Sequence, residues 1–183
     1  TASGVLNEMR RCVISSLQQQ GIPGEQKDGM DMSVVAINKK NFKMQFAGAN
    51  NPLYIVGSSQ SSVSSQFSAN CKLPTANCQL FEIKGDKMPI AIHVRMNDFT
   101  NHEYQLQKGD SVYLFSDGYA DQFGGPKGKK LMYSAFKENL LKFSELPMKE
   151  QGEMLLQYID NWKNNYTMKY EQTDDITIVG IRI

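Results

Sequence analysis

A carboxylate at the end of an apolar strand is the strongest candidate for chemistry in this sequence. The run Ser111–Phe115 is followed by a serine and then by Asp117 and Gly118. Because glycine permits backbone angles that other residues disfavour, Gly118 is expected to allow an unusual turn that aims the Asp117 carboxylate outward. This pattern predicts an acidic group at one edge of a β-sheet.

A second acidic motif, Asp174-Asp175, directly precedes the β-rich run 176–183. If this run pairs antiparallel with Ser111–Phe115, the end of one strand and the start of the other lie at the same sheet edge. Asp117 and Asp174 would then meet. Converging carboxylates repel unless a positive charge lies between them, and hard cations such as Mg²⁺ or Mn²⁺ prefer oxygen ligands. The two motifs are therefore compatible with a hydrated metal site.

The same aspartates also have a purely structural interpretation. Aspartate at a strand end commonly forms a turn with its own backbone. Spacing alone does not decide between a turn and a metal site.

Hydrophobic periodicity and the positions of Gly, Pro and Asn predict the elements that must position these motifs. Helices are predicted over 3–20, 131–143 and Met148–Asn164, and strands over 30–38, 42–47, 53–56, 79–83, 99–106, Ser111–Phe115 and 176–183. Ser3 is the expected N-cap of the first helix. A helix, a long run of mostly antiparallel strands, two helices and a last strand predict an α+β layered fold in a single domain, 1–183. The Ser-, Asn- and Gln-rich stretch 57–77 predicts a surface loop or insertion.

Composition narrows the class of partner. The sequence has 20 Lys and Arg residues and 19 Asp and Glu residues, so its net charge is too small to attract nucleic acid. No apolar run approaches the roughly 18 residues that span a bilayer, and no secretory pattern opens the chain. Three cysteines without metal-type spacing fit a reducing compartment. We therefore expect a cytoplasmic protein that neither binds nucleic acid nor inserts into a membrane.

Six motifs extend this pattern along nearly the whole chain. They lie at 28–31 (Asp-Gly-Met-Asp), 46–53 (Phe-Ala-Gly-Ala-Asn-Asn-Pro-Leu), 87–90 (Lys-Met-Pro-Ile), 108–110 (Lys-Gly-Asp), 115–123 (Phe-Ser-Asp-Gly-Tyr-Ala-Asp-Gln-Phe) and 173–177 (Thr-Asp-Asp-Ile-Thr). In order and spacing they resemble the SpoIIE-like branch of the bacterial PPM (type 2C) serine/threonine phosphatases. Each motif is weak alone, and their succession makes the match specific.

The resemblance implies an α-β-β-α sandwich of two mainly antiparallel sheets flanked by helices, with a binuclear Mn²⁺ or Mg²⁺ centre at one end. It assigns metal binding to the aspartate of the Ser-Asp-Gly motif and to the first aspartate of the late motif, here Asp117 and Asp174. Gly118 and Asp175 are further candidates for metal binding or for support of the site. No catalytic side chain beyond the metal ligands is implied.

The implied activity is metal-dependent hydrolysis of phosphoserine or phosphothreonine in a regulatory protein of the anti-anti-sigma type. The resemblance also implies an upstream sensor or regulatory domain in the parent protein, as part of a signalling pathway.

The sequence departs from the family at Asn50-Asn51, where some relatives carry an aspartate for an additional metal ion, and more seriously in a missing motif. The aspartate motif followed by Gly-His-Gly, whose carboxylate bridges the two cations, does not occur in it. We expect that the parent protein continues upstream of Thr1, that the domain is incomplete at its N-terminus, and that this chain alone has little or no activity. Absent upstream strands would also leave a sheet edge exposed, which favours self-association.

Two other functions stay open at this point. A noncatalytic pseudophosphatase would bind a regulatory protein through the same surface, although the presence of both Asp117 and Asp174 favours the enzyme. If the resemblance is only architectural, the aspartates are turn residues.

Overall fold

The structure, a computed structural model, describes residues 1–22, 28–58, 69–72, 78–164 and 168–183. Its contacts divide the chain into two compact units. The first comprises Thr1–Leu53 and Ile83–Gln107, and the second comprises Tyr54–Glu82 and Lys108–Ile183. The assignment of residues 1–183 to one domain stays a prediction.

Four helices and ten strands occur among the described residues. The helices are α1 (Ala2–Ser16), α2 (Gly118–Asp121), α3 (Met132–Lys142) and α4 (Met148–Asn164). The strands are β1 (Met32–Ile37), β2 (Lys43–Ala49), β3 (Leu53–Ser58), β4 (Ala69–Lys72), β5 (Cys78–Ile83), β6 (His102–Gln105), β7 (Ser111–Phe115), β8 (Phe123–Gly124), β9 (Lys129–Lys130) and β10 (Ile178–Arg182). The predicted α+β class, with antiparallel sheets and helices, is confirmed. Within the described ranges, no helix has the length and apolar character needed to cross a membrane.

The first unit is a three-stranded antiparallel sheet in the order β1-β2-β6, with α1 beside it. Helix α1 places Leu6 in a hydrophobic cluster with Ala47 and Ile90. Met9 and Val13, one and two turns further along the helix, are half-buried against the same cluster and help attach α1 to the sheet.

Three sequence predictions for the first unit need correction. Thr1 caps α1 instead of Ser3, because its Oγ1 accepts a hydrogen bond from the backbone N–H of Gly4 at 3.1 Å. The helix also ends at Ser16, four residues before the predicted end. The strand predicted over 99–106 is limited to His102–Gln105, because only these residues pair with β2.

The second unit contains a five-stranded sheet in the order β10-β7-β3-β5-β4. Phe136 of α3 is fully buried, and its ring centroid lies 4.8 Å from Tyr119, 5.0 Å from Phe115 and 6.0 Å from Tyr54. Aromatic rings at these separations bury apolar area and also prefer particular relative orientations. This cluster fixes the C-terminal end of β7, from which the first acidic motif continues.

The surface loop predicted over 57–77 is corrected at two places: β3 continues through residues 57 and 58, and β4 lies within the range. Residues 69–72 form a strand that pairs antiparallel with β5, so their backbone belongs to the sheet despite a polar composition. Residues 59–68 and 73–77 lie outside the described residues. By contrast, α4 has the bounds predicted from its periodicity, Met148–Asn164.

We predict that Phe136→Ala lowers the free energy of unfolding of the second unit by about 3–5 kcal/mol, because it opens a cavity among three rings. Urea denaturation followed by circular dichroism measures this change. Leu156→Ala is the control, since this α4 side chain is 61% exposed and its truncation should cost about 0.5 kcal/mol or less. Equal losses in the two variants would contradict the assigned core.

Candidate metal centre

Strands β7 and β10 pair antiparallel, as the sequence prediction required. Phe115 lies opposite Ile178, and the ladder continues one step further, where the N–H of Ser116 donates to the carbonyl of Thr177 at 3.0 Å. The residues after β7 and those before β10 therefore lie at one edge of the same sheet. We call Asp117, Asp174 and Asp175 at this position the acidic edge.

The hydroxyl of Ser116 joins the two segments of the acidic edge. It donates a hydrogen bond to the carbonyl of Asp175 at 2.8 Å and accepts one from the N–H of Thr177 at 3.0 Å. One small side chain thus satisfies two backbone groups just beyond the strand ladder. Sequence analysis did not single out Ser116, because serine beside a turn is too common to carry a signal.

Gly118 is needed at the acidic edge because of a close approach. It is the first residue of α2 and does not have a positive φ, so the expectation of an unusual backbone angle is wrong. A Cβ at this position would overlap the carbonyl oxygen of Asp175 and lie 3.0 Å from its carbonyl carbon. The absence of a side chain at Gly118 lets the two acidic segments touch.

The two aspartates expected to bind metal differ in their use of hydrogen bonds. Asp117 is exposed and occupies the N-cap position of α2, but its side chain makes no capping hydrogen bond. Asp174 is also exposed, and its Oδ1 accepts from the N–H of Asp175 at 2.7 Å. Only one oxygen of Asp174 bonds to the neighbouring backbone as a turn residue would, and the Asp117 side chain makes no capping bond of this kind. A carboxylate has two acceptor oxygens, so Asp174 keeps coordinating capacity.

A buried tyrosine follows Asp117 closely in the chain. Burial raises the pKa of Tyr119, two residues after Asp117, so the phenol keeps its proton. Its hydroxyl donates to the carbonyl of Leu155 at 3.1 Å. Tyr119 therefore anchors α2, the helix that follows Asp117, in the protein interior.

The segment after α2 contains a buried glutamine that sequence analysis also did not single out. Gln122 has no exposed surface, and its side-chain amide Nε2 donates to the carbonyls of Glu171, at 2.8 Å, and Phe123, at 3.0 Å. Its own carbonyl accepts from the indole N–H of Trp162 at 3.2 Å. Neither a hydrophobic pattern nor a turn motif identifies a glutamine whose side chain donates hydrogen bonds to distant backbone carbonyls.

Asp121 is a neighbouring carboxylate with a different role. It forms an ion pair with Lys130 at 2.8 Å. Both side chains are about 40% exposed, and a surface pair of this kind contributes little stability. Its carboxylate is thus occupied by a lysine, unlike that of Asp117.

The carboxylates of the acidic edge are the type of ligand that a hard divalent cation prefers, but they are too few to form a complete set of ligands. Carboxylate oxygens are the ligands that Mg²⁺ and Mn²⁺ favour, and such ions keep several waters. Among the residues that the structure describes, however, no group of three or more His, Cys, Asp or Glu could hold a metal ion. The assignment of Asp117 and Asp174 as metal ligands therefore stays a prediction.

Solved structures of similar fold were found in comparisons with known proteins. The SiaA-PP2C domain of Pseudomonas aeruginosa is 25% identical with a TM-score of 0.75, over 99% of this chain and 60% of that one. The phosphatase domain of the cell fate determinant SpoIIE from Bacillus subtilis is 16% identical with a TM-score of 0.50, over 84% and 56%. The photosystem II phosphatase PBCP is 10% identical with a TM-score of 0.51, over 98% and 72%. The chain therefore spans about 60% of the length of the SiaA-PP2C domain.

Antiparallel sheets and helices arranged as in these structures give the chain the fold of a PP2C-type phosphatase domain. Residues 3–183 match the family model described as stage II sporulation protein E (SpoIIE), and the chain belongs to this family. No match was found among curated protein sequences.

We predict that Gly118→Ala lowers the free energy of unfolding by about 1–3 kcal/mol, because the new methyl group displaces the Asp175 carbonyl. Gly152→Ala is the matched control. It lies in α4 with no atom within 4 Å of an added Cβ, so it should stabilise by about 0.5–1 kcal/mol. Thermal denaturation of the two variants gives the sign of each change, and stabilisation by Gly118→Ala would refute the close approach.

Proposed function

We propose that this chain carries part of the catalytic centre of a metal-dependent phosphatase that acts on phosphoserine or phosphothreonine in a protein. Asp117 and Asp174 are the metal ligands. The observation that carries the proposal is the close approach of Gly118 to the Asp175 carbonyl, which brings two sequence-distant acidic segments to one sheet edge. Membership of the SpoIIE family supports the same activity.

The residues of the chain would hold and orient the cations. Asp117 offers a carboxylate that is not used for capping, and the Asp175 N–H fixes the orientation of the Asp174 carboxylate. Ser116 and Gly118 keep the two ligands on adjoining segments. When bound, a pair of Mn²⁺ or Mg²⁺ ions lowers the pKa of a shared water and neutralises charge on the phosphoryl oxygens.

The cation pair needs a bridging carboxylate that the acidic edge does not supply. The 183 residues contain no Gly-His-Gly motif and hence no aspartate of that motif. We propose that the natural protein supplies this carboxylate from further residues and that the chain by itself turns over little or no substrate. Asp117 and Asp174 alone would bind a hydrated cation weakly.

The proposed partner is a phosphorylated regulatory protein of the anti-anti-sigma type, in the cytoplasm, with a sensor or regulatory domain in the parent protein.

Self-association is a further proposed property. In the part of the sheet that the structure describes, β10 is an edge strand, and its Val179 and Ile181 are exposed. Exposed apolar edges favour pairing with another chain.

A noncatalytic pseudophosphatase is the second candidate. The observation in its favour is that the described residues hold no group of three or more metal-binding side chains. Such a protein would use the acidic edge and its surroundings to bind the regulatory partner without hydrolysis.

We predict that Asp117→Asn and Asp174→Asn each lower Mn²⁺-dependent hydrolysis of a phosphoprotein by more than about 100-fold in the natural full-length protein, because each removes a charged ligand. Asp121→Asn is the matched control. Its carboxylate pairs with Lys130, so this variant should keep near-normal activity. Turnover that survives both ligand substitutions would exclude the proposed role.

We also predict that the 183-residue chain hydrolyses a phosphoprotein far more slowly than the full-length protein at the same Mn²⁺ concentration. The physical reason is the missing bridging carboxylate, without which two cations are not held close enough to share a water. Release of inorganic phosphate under single-turnover conditions measures both proteins. No turnover by the full-length protein, in spite of Mn²⁺ binding, would favour the pseudophosphatase.

A further inference from the structure

The two segments of the acidic edge are joined at both of their ends. On the strand side, the hydroxyl of Ser116 donates to the Asp175 carbonyl. On the far side, beyond α2, the side chain of Gln122 donates to the carbonyl of Glu171 at 2.8 Å. Asp117 lies between Ser116 and Gln122 in sequence, and Asp174 lies between Glu171 and Asp175.

We propose that Gln122 is a positioning residue for the candidate metal centre. It holds the segment that carries Asp174 against the segment that carries Asp117, and so sets how the two carboxylates face a shared cation. This inference rests on the proposed function, in which Asp117 and Asp174 are the metal ligands.

The side-chain amide of Gln122 acts on backbone carbonyls of two segments. Its Nε2 donates both to Glu171 and, at 3.0 Å, to Phe123. The carbonyl of Gln122 itself accepts from Trp162 Nε1 at 3.2 Å and from the Leu131 N–H at 3.0 Å. The backbone of Gln122 is therefore fixed independently of its side chain, so a side-chain substitution tests the link to Glu171 selectively.

The burial of Gln122 argues against a role in packing alone. The residue has no exposed surface, and within the described ranges its Oε1 has no hydrogen-bond partner. A buried polar atom without a partner is unfavourable, and a methionine would fill a similar volume without that penalty. The glutamine is thus distinguished by its donor nitrogen and the two carbonyls it reaches.

Other hydrogen bonds of the Asp174 segment lead elsewhere. Tyr170 N–H donates to the carbonyl of Lys163 at 3.1 Å, which ties the segment to the end of α4. The Gln172 side chain bonds to the Asp174 carbonyl within the same segment. Among these contacts, only that of Gln122 connects directly to the chain that leaves Asp117. Residues that orient metal ligands without touching the metal commonly alter affinity by about tenfold or more.

A Mn²⁺ titration of the 183-residue chain, followed by paramagnetic broadening of its backbone amide signals, tests the inference. In the wild-type chain, signals at both Asp117 and Asp174 should broaden together. Gln122→Met should weaken the apparent Mn²⁺ affinity by about tenfold. It should also leave broadening near Asp117 while reducing it near Asp174. Gln122→Asn, which keeps the amide but shortens its reach, is measured alongside and decides the question if the methionine variant does not fold.

Gln151→Met is the matched control. Gln151 is a second buried glutamine whose Nε2 donates to two carbonyls, those of Ser144 and Leu146, neither of them in the acidic segments. It also accepts from the Tyr113 hydroxyl at 2.7 Å. Its loss should lower the melting temperature and leave Mn²⁺ affinity unchanged.

The outcomes separate the inference from the function on which it rests. Absence of broadening at the acidic edge of the wild-type chain would overturn the metal-ligand assignment, and the role of Gln122 with it. Wild-type broadening that both Gln122 variants retain at equal Mn²⁺ affinity would overturn the role of Gln122 alone. Equal weakening by the Gln122 and Gln151 variants would also overturn it, because general destabilisation would then explain the loss.

Discussion

Pairing of β7 with β10 is the contact on which the candidate metal centre depends. Its register sets Phe115 opposite Ile178, so the residues that follow one strand and precede the other emerge at the same place. A slip of one residue would turn every side chain of β10 to the opposite face. The hydrogen bonds of Ser116 extend the same register beyond the ladder to Thr177 and Asp175. The geometry of the acidic edge thus follows from the pairing of the outermost strand of the sheet, β10, with its neighbour β7.

Backbone atoms organise the acidic edge more than charged side chains do. The Asp175 carbonyl accepts a hydrogen bond from the Ser116 hydroxyl, and the Glu171 carbonyl accepts one from the Gln122 side-chain amide. Gly118 leaves the space that the Asp175 carbonyl occupies. Such contacts do not add charge near the aspartates. They leave the carboxylates exposed and negative, which suits a site that gains its positive charge from bound cations.

Sequence patterns predicted the elements whose signals are strong and local. Helix α4 and strand β7 have the predicted bounds, because long periodic segments and apolar runs bounded by turn residues are read reliably. The convergence of the two acidic motifs could be expected once antiparallel pairing was assumed. Their metal binding stays a prediction, since the family resemblance supplied the assignment and the described residues contain no group of three or more metal-binding side chains.

The remaining features depend on contacts that a linear pattern does not contain. Gln122 reaches a carbonyl 49 residues away in sequence, and nothing in its neighbours indicates that contact. Gly118 was noticed for its conformational freedom, whereas its importance comes from the nearness of another segment. Strand β4 was missed because its polar residues lack strand character, and pairing with β5 outweighs that local preference.

The position of β10 in the chain has a consequence for synthesis on the ribosome. Strand β7, α3 and α4 are all made before β10, which then adds to the outer side of β7. Until that happens, β7 is itself the border of the sheet and Asp117 has no acidic neighbour from the later segment. A nascent polypeptide at this stage can bury Phe136 but leaves a row of β7 backbone groups open to pairing with other chains. Pairing of β10 therefore covers the backbone groups of β7, makes β10 the new edge strand and assembles the acidic edge in one event.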